Sequence, residues 1–115
     1  MRTDQFDGPD ELEFAKMEKA NLGLRALGHS TRLKTIQLLV GHEPIGMPAG
    51  DIARELSIPQ NTMSAHLKVL SNARLVRWER HSRSIIYRAD MSELRELTLF
   101  LMSDCCGGRA RLHLS

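Results

Sequence analysis

The chain has 115 residues and a net charge of +2, and this length is typical of one domain with a modest hydrophobic core. Its first thirty residues lack the basic start and the apolar stretch of a signal peptide, and the longest wholly apolar run outside them, residues 99–102, is too short to span a bilayer. We therefore expect a single cytoplasmic domain without a membrane-spanning helix.

The first part of the chain predicts two helices. Residues 1–10 are acidic, and we expect them to be disordered. Apolar residues at helical spacing predict a first helix over residues 12–27, and Ser30 then provides the N-cap of a second helix that ends at Gly41. Residues 42–48 predict a loop. The second helix places four apolar residues on one face: Leu33, Ile36, Leu39 and Val40.

Two short helices joined by a three-residue turn are predicted next, over residues 49–56 and 60–73. This is the helix-turn-helix arrangement, whose second helix enters the major groove of DNA. In that helix Met63, Leu67 and Leu70 face inward. The opposite face carries small or hydrogen-bonding side chains and one cation, as groove insertion requires: Gln60, Asn61, Thr62, Ser64, Ala65 and Lys68. The alternative is the ordinary polar face of an antiparallel helix pair.

Residues 75–80 and 84–88 are rich in β-branched and aromatic residues, and they predict two strands joined by a short turn. Such a hairpin forms a wing beside the recognition helix, where Arg80 and Arg83 at the tip would reach backbone phosphate or the minor groove. Between residues 59 and 88 six basic residues stand against one acidic residue, a pattern typical of a segment that binds a polyanion. A plain hairpin with a solvated tip is the alternative.

An apolar helix is predicted at residues 91–101, and one small domain could not cover its apolar side chains alone. We therefore predict a homodimer formed through the first and last helices. The predicted dimer seam of the last helix consists of Met91, Leu94, Leu97 and Leu101.

Cys105 and Cys106 are the only cysteines of the chain, and they stand just beyond the last helix and before two glycines. Consecutive Cα atoms lie about 3.8 Å apart, below the roughly 4.4–6.8 Å of an unstrained disulfide. In a reducing cytoplasm both thiols stay available as ligands for soft metals or metalloids. The alternative is that two small, apolar-behaving cysteines fill the end of a helix.

From about residue 24 to residue 106 the chain resembles the ArsR/SmtB family of metal- and metalloid-responsive winged-helix repressors. The motifs that carry the resemblance are Leu24-Arg25-Ala26-Leu27, Ser30-Thr31-Arg32-Leu33, Gly50-Asp51-Ile52-Ala53 and the recognition helix Met63-Ser64-Ala65-His66-Leu67-Lys68-Val69-Leu70. The resemblance implies a winged helix-turn-helix of the α+β class, mainly α with a small β-hairpin, in the order four helices, two strands and a fifth helix. The DNA-binding and dimerisation domain then spans residues 11–106, and residues 107–115 form a flexible tail.

The resemblance also implies a homodimeric repressor of its own operon that leaves double-stranded operator DNA when an inducer binds. By the same resemblance, the residues that touch bases or phosphates are Gln60, Asn61, Ser64 and Ala65. An enzyme is not expected, because an activated cysteine needs a helix N-terminus or neighbouring cations, whereas these cysteines follow the C-terminus of a helix.

The candidates for the sensor site are reduced because this chain lacks the ligand residues of two sites known in the family. The family's arsenic site on the third helix needs cysteines near residues 50–51, and its zinc site on the last helix needs histidines that residues 91–104 do not contain. The remaining candidate is the pair Cys105 and Cys106, which resembles a subgroup with vicinal cysteines beyond the last helix. We predict that it binds trivalent arsenic, as arsenite or methylarsenite, or antimonite.

Two departures from the family pattern stand out. A third cysteine often follows the vicinal pair, and here Leu112 takes about that place, which weighs against capture of arsenite by three thiolates. Arg74 replaces the glycine that usually follows the recognition helix, and if that position is left-handed a side chain there costs roughly 1–2 kcal/mol. Either Arg74 adds a phosphate contact near the base of the hairpin, or Asn72 takes over the cap. The alternatives to an arsenic sensor are a zinc or nickel site closed by His113, a thiol redox switch, and a constitutive DNA-binding protein with incidental cysteines.

Overall fold

Five helices and a small antiparallel sheet make up residues 11–103, the part of the chain that the computed structural model describes. In chain order the elements are α1 (Glu11–Leu27), α2 (Ser30–Gly41), β1 (Met47–Pro48), α3 (Ala49–Leu56), α4 (Gln60–Asn72), β2 (Val76–His81), β3 (Ser84–Ala89) and α5 (Met91–Met102). The predicted winged helix-turn-helix is confirmed. Within these residues, no helix combines the length and apolar character that crossing a membrane requires.

The N-cap of α2 differs from the prediction by one residue. The cap is His29, whose backbone is extended and whose ring Nδ1 accepts a hydrogen bond of 3.1 Å from the Thr31 amide. Ser30 is instead the first residue of the helix. The prediction failed because an unprotonated imidazole nitrogen accepts a hydrogen bond as well as a serine oxygen does.

The sheet contains a strand that the sequence did not predict. Met47 and Pro48 form β1, which pairs antiparallel with β3 and gives the strand order β1-β3-β2. Proline is tolerated there because β1 is an edge strand. Gly46 makes this pairing possible, since its φ is +77° and a Cβ atom at this position would lie 2.6 Å from the Tyr87 carbonyl oxygen.

The hydrophobic core lies between α2, α3, α4 and the base of the hairpin. Five hydrophobic side chains are almost completely buried: Leu39, Ile52, Met63, Leu67 and Leu70. The inward face predicted for α4 is therefore confirmed. On α2 the predicted face is only half right, because Leu33 and Val40 are exposed while Ile36 and Leu39 are buried.

Helices α1 and α5 pack against each other beside this core, and both leave apolar side chains exposed. Helix α5 has no buried residue, and α1 buries only Ala20, Gly23 and Ala26. Leu94 packs against the core, and Leu97 reaches the Gly23 backbone. The predicted seam therefore divides, because Leu94 and Leu97 serve the protomer's own packing and only Met91 and Leu101 remain exposed.

Candidate nucleic-acid interface

The turn between α3 and α4 fixes the direction of the predicted recognition helix. Ser57 ends α3 in the left-handed conformation, with φ of +57°, and the Ile58 amide donates a 2.9 Å hydrogen bond to the Ala53 carbonyl oxygen. Pro59 follows as the N-cap of α4, and its carbonyl oxygen accepts from the Met63 amide at 2.9 Å. Ile58 in this turn packs against the core. This contact holds the turn in place and so fixes the direction in which α4 begins.

The two faces of α4 differ sharply in burial. All six residues predicted to meet DNA on this helix are exposed: Gln60, Asn61, Thr62, Ser64, Ala65 and Lys68. Residues three and four apart are neighbours on a helix surface, so these side chains form one continuous patch. Within it, Asn61 Oδ1 accepts a 2.9 Å hydrogen bond from the Thr62 amide. We call these six residues the outer face of α4; their contact with DNA stays a prediction.

The hairpin of β2 and β3 supplies the predicted wing. Ser82 and Arg83 form its two-residue turn, and Ser82 is left-handed with φ of +60°, as turns that match the strand twist require. Arg80 and Arg83 are exposed at the tip, in agreement with their predicted place. His81 lies in β2 rather than in the connecting loop, because it pairs with Ser84 across the ladder.

The charge of the wing is smaller than the sequence suggests. Arg88 is half-buried and pairs with Glu43, with Nη2 at 2.8 Å from Oε1 and Nε at 3.3 Å from Oε2. This hydrogen-bonded pair raises the pKa of Arg88 and ties β3 to the segment after α2. Sequence reasoning counted Arg88 among the cations available to a polyanion, because a contact between residues so distant in sequence leaves no local pattern.

The only acid of this basic segment also has a partner. The Glu79 carboxylate lies 2.8 Å from the His81 Nε2, and this hydrogen bond lowers the pKa of Glu79. Within residues 11–103, no carboxylate forms an ion pair with Arg80 or Arg83. These two arginines are therefore the best candidates of the wing for phosphate contact.

Arg74 adopts the left-handed conformation. Its φ is +65°, and its amide donates a 2.9 Å hydrogen bond to the Ser71 carbonyl oxygen. The C-cap of α4 is Ala73, so the alternative of a cap at Asn72 is wrong. For a residue with a Cβ atom this conformation costs roughly 1–2 kcal/mol.

The predicted inducer ligands, Cys105 and Cys106, lie outside the described residues, as does Leu112. The last described helix ends at Met102, and Ser103 follows as its C-cap, with its hydroxyl donating a 2.7 Å hydrogen bond to the Phe100 carbonyl oxygen. Among residues 11–103 there is no group of three or more side chains of the types that hold metals.

Comparison with known proteins places this site among transcriptional regulators. A family model described as a helix-turn-helix domain matches residues 27–77. The HTH-type transcriptional regulator KmtR of Mycobacterium tuberculosis is 30% identical over 92 residues, which cover 80% of this chain and 68% of that protein. The biofilm growth-associated repressor of Xylella fastidiosa is 30% identical over 97 residues, covering 84% and 82%.

A solved structure shows the same fold. The homodimeric winged helix-turn-helix DNA-binding domain Mb0332 from Mycobacterium bovis superimposes with a TM-score of 0.69 at 23% identity, covering 84% of this chain and 87% of that one. Two of these similar proteins are transcriptional regulators, and the third is a DNA-binding domain.

Proposed function

Because the chain belongs to the ArsR family of winged helix-turn-helix transcriptional regulators, we propose that it is a homodimeric repressor that inserts α4 into the major groove of operator DNA. One observation carries this proposal. The same helix buries Met63, Leu67 and Leu70 completely while its outer face exposes short hydrogen-bonding groups and a single cation. Short hydrogen-bonding side chains of this kind can read the edges of base pairs in the major groove.

The proposed dimer rests on the apolar surface of α1 and α5. Five large hydrophobic side chains of these helices are more than half exposed: Leu12, Phe14, Leu99, Leu101 and Met102. A groove of 1140 Å³ runs between the two helices, with Met17 and Phe100 in its walls. Monomeric proteins rarely expose so much contiguous apolar surface. A two-fold axis through this face would present one α4 from each protomer to successive major grooves, about 34 Å apart.

We assign release from DNA to trivalent arsenic bound by Cys105 and Cys106. Each thiol displaces a hydroxide of arsenous acid and water leaves, so that two arsenic–sulfur bonds form without oxidation or reduction. Methylarsenite has two exchangeable oxygens and arsenite has three, so a two-thiol site satisfies the methylated form and leaves one hydroxide on arsenite. The cysteines stand only a few residues beyond the end of α5.

An ion-pair network links α5 to α1 and gives the proposed signal a route. Lys19 Nζ lies 2.8 Å from Glu93 Oε1 and 2.9 Å from Glu96 Oε1, and these hydrogen bonds raise the pKa of Lys19. A shift of α5 on binding of arsenic at Cys105 and Cys106 would therefore move α1 as well, and with it the spacing of the two recognition helices. Couplings between two sites of about 1–3 kcal/mol change affinity roughly 5- to 150-fold.

The proposal is tested by titrating a labelled promoter fragment with protein and then adding one compound at a time. Arsenite, methylarsenite and antimonite should release the DNA, with methylarsenite effective at the lowest concentration. The variants Cys105→Ser and Cys106→Ser should bind the fragment as wild type does but fail to release it. Release by zinc, nickel or peroxide alone would assign the cysteines to a different signal, and normal release of either variant would remove them from the sensor.

A further inference from the structure

A pair of histidines joins the start of α2 to the middle of the recognition helix. The ring centroids of His29 and His66 lie 4.6 Å apart, with the ring planes inclined by 53°. His29 caps α2 through Nδ1. His66 is half-buried on α4, and its position in the sequence falls between the core residues Met63 and Leu67. The contact therefore places two imidazole rings between the recognition helix and the helix behind it.

The surroundings of this contact disfavour a proton on His66. Burial lowers the pKa of His66, and the positive charges of His29 and Arg32 lower it further. The Arg32 Nε is buried without a hydrogen-bond partner among the described residues. Arg32 therefore acts on His66 as a fixed positive charge, and His29 adds a second one whenever it is protonated. Lys68 on α4 itself and the Asp51–Arg54 ion pair of α3 do not contribute to this shift.

We propose that the His29–His66 contact is a proton-operated switch that loosens α4 and weakens binding to operator DNA in mildly acid solution. A proton on His66 adds a charge to a half-buried ring that already faces Arg32, and such a charge is relieved only when the ring moves towards water. His66 lies on the helix that must be held in one place for its outer face to meet the bases. Proton uptake and DNA binding then oppose each other by linkage.

The N-cap of α2 gives a second reason why a fall in pH should disfavour the packed arrangement. Because Nδ1 of His29 accepts the hydrogen bond from the Thr31 amide, it carries no proton in this arrangement. Protonation of His29 at that nitrogen would remove the cap of α2 beside the same contact. The cap therefore requires an unprotonated Nδ1 on His29, and burial makes His66 favour the packed arrangement when it is neutral.

This inference depends on the proposed DNA binding, and the test separates the two. The affinity of the full chain for the promoter fragment is measured from pH 7.5 to pH 5.5 at constant ionic strength. Wild type should lose about tenfold in affinity as the pH falls, within the range of ordinary couplings. The variant His66→Gln should lose the pH dependence. If His66 had only a structural role, the same variant would instead lower the affinity for DNA equally at every pH. The control His42→Gln removes a histidine outside α4 and the wing and should keep the wild-type pH dependence.

A second measurement needs neither DNA nor a stable His66 variant. Imidazole resonances followed by NMR should show His66 titrating below the usual histidine pKa of about 6.5. His29→Asn keeps a good N-cap residue but removes the ring that packs on His66 and that opposes a charge there whenever it is itself protonated, so the His66 midpoint should move to higher pH. Unchanged pH dependence in His66→Gln, or an unmoved midpoint in His29→Asn, would overturn the switch. Failure to bind the fragment at pH 7.5 would instead overturn the proposed function and leave the NMR test intact.

Discussion

Single residues hold the wing to the rest of the protein, and Gly46 is the clearest case. Its φ of +77°, and the 2.6 Å that would separate a Cβ atom here from the Tyr87 carbonyl oxygen, leave no room for a side chain. We predict that Gly46→Ala lowers the free energy of unfolding by about 1–3 kcal/mol, measured by urea denaturation. Gly41→Ala is the matched control, since a Cβ there meets nothing within 4 Å, and it should leave stability unchanged or slightly higher.

Arg74 offers the opposite test, because a glycine there would relieve strain. With φ at +65°, Arg74→Gly should raise the free energy of unfolding by about 1 kcal/mol, the relief of a left-handed side chain less the entropy that glycine adds to the unfolded state. The same variant shows whether the arginine contacts phosphate. A loss of about 0.9 in the salt slope of DNA binding indicates such a contact, and an unchanged slope excludes it.

At the scale of elements, the outer face of α4 and the wing should contribute differently to DNA recognition. We predict that Asn61→Ala and Ser64→Ala each weaken binding to the specific site by about 1–3 kcal/mol while random DNA is bound nearly as before. Competition titrations with specific and random duplexes measure both quantities. Equal losses on the two DNAs would mean that these side chains do not read bases.

The wing should contribute to the binding of DNA of any base sequence. Arg83→Ala is expected to weaken specific and random DNA alike and to lower the salt slope by about 0.9, because one phosphate contact is removed. Lys34→Ala removes an exposed cation of α2, outside the wing, the outer face of α4 and the proposed dimer face, and this control should leave both affinity and slope unchanged. An Arg83 variant with the wild-type slope would contradict the role assigned to the tip of the wing.

How far the sequence predicts the structure depends on whether a signal is local. The spacing of Met63, Leu67 and Leu70 is enough to place α4 and its outer face, and the motif around it is enough to indicate the family. The strand β1 could not be predicted, because two residues carry no periodicity. The Glu43–Arg88 ion pair could not be predicted, because its partners are far apart in the chain. The N-cap at His29 was not predicted, because histidine is not among the residues that usually cap helices.

At the scale of the whole molecule, the proposed dimer makes a direct prediction. Leu99 is 61% exposed on α5, so Leu99→Glu should place a charge in the dimer interface and give a monomer by light scattering at micromolar concentration. Ile45→Glu is the control, because this side chain is 81% exposed but lies outside α1 and α5, and it should remain dimeric. A monomeric wild type would refute the interface.

The lack of any buried residue in α5 has a consequence for the amount of active protein. A helix of this length is marginal in water unless it packs against something, so the partner protomer would supply part of the stability of each subunit. Folding and association then form one equilibrium, and the temperature of unfolding should rise with protein concentration. Freshly synthesised subunits would remain susceptible to proteolysis until they meet, which sets a threshold below which synthesis yields no functional regulator.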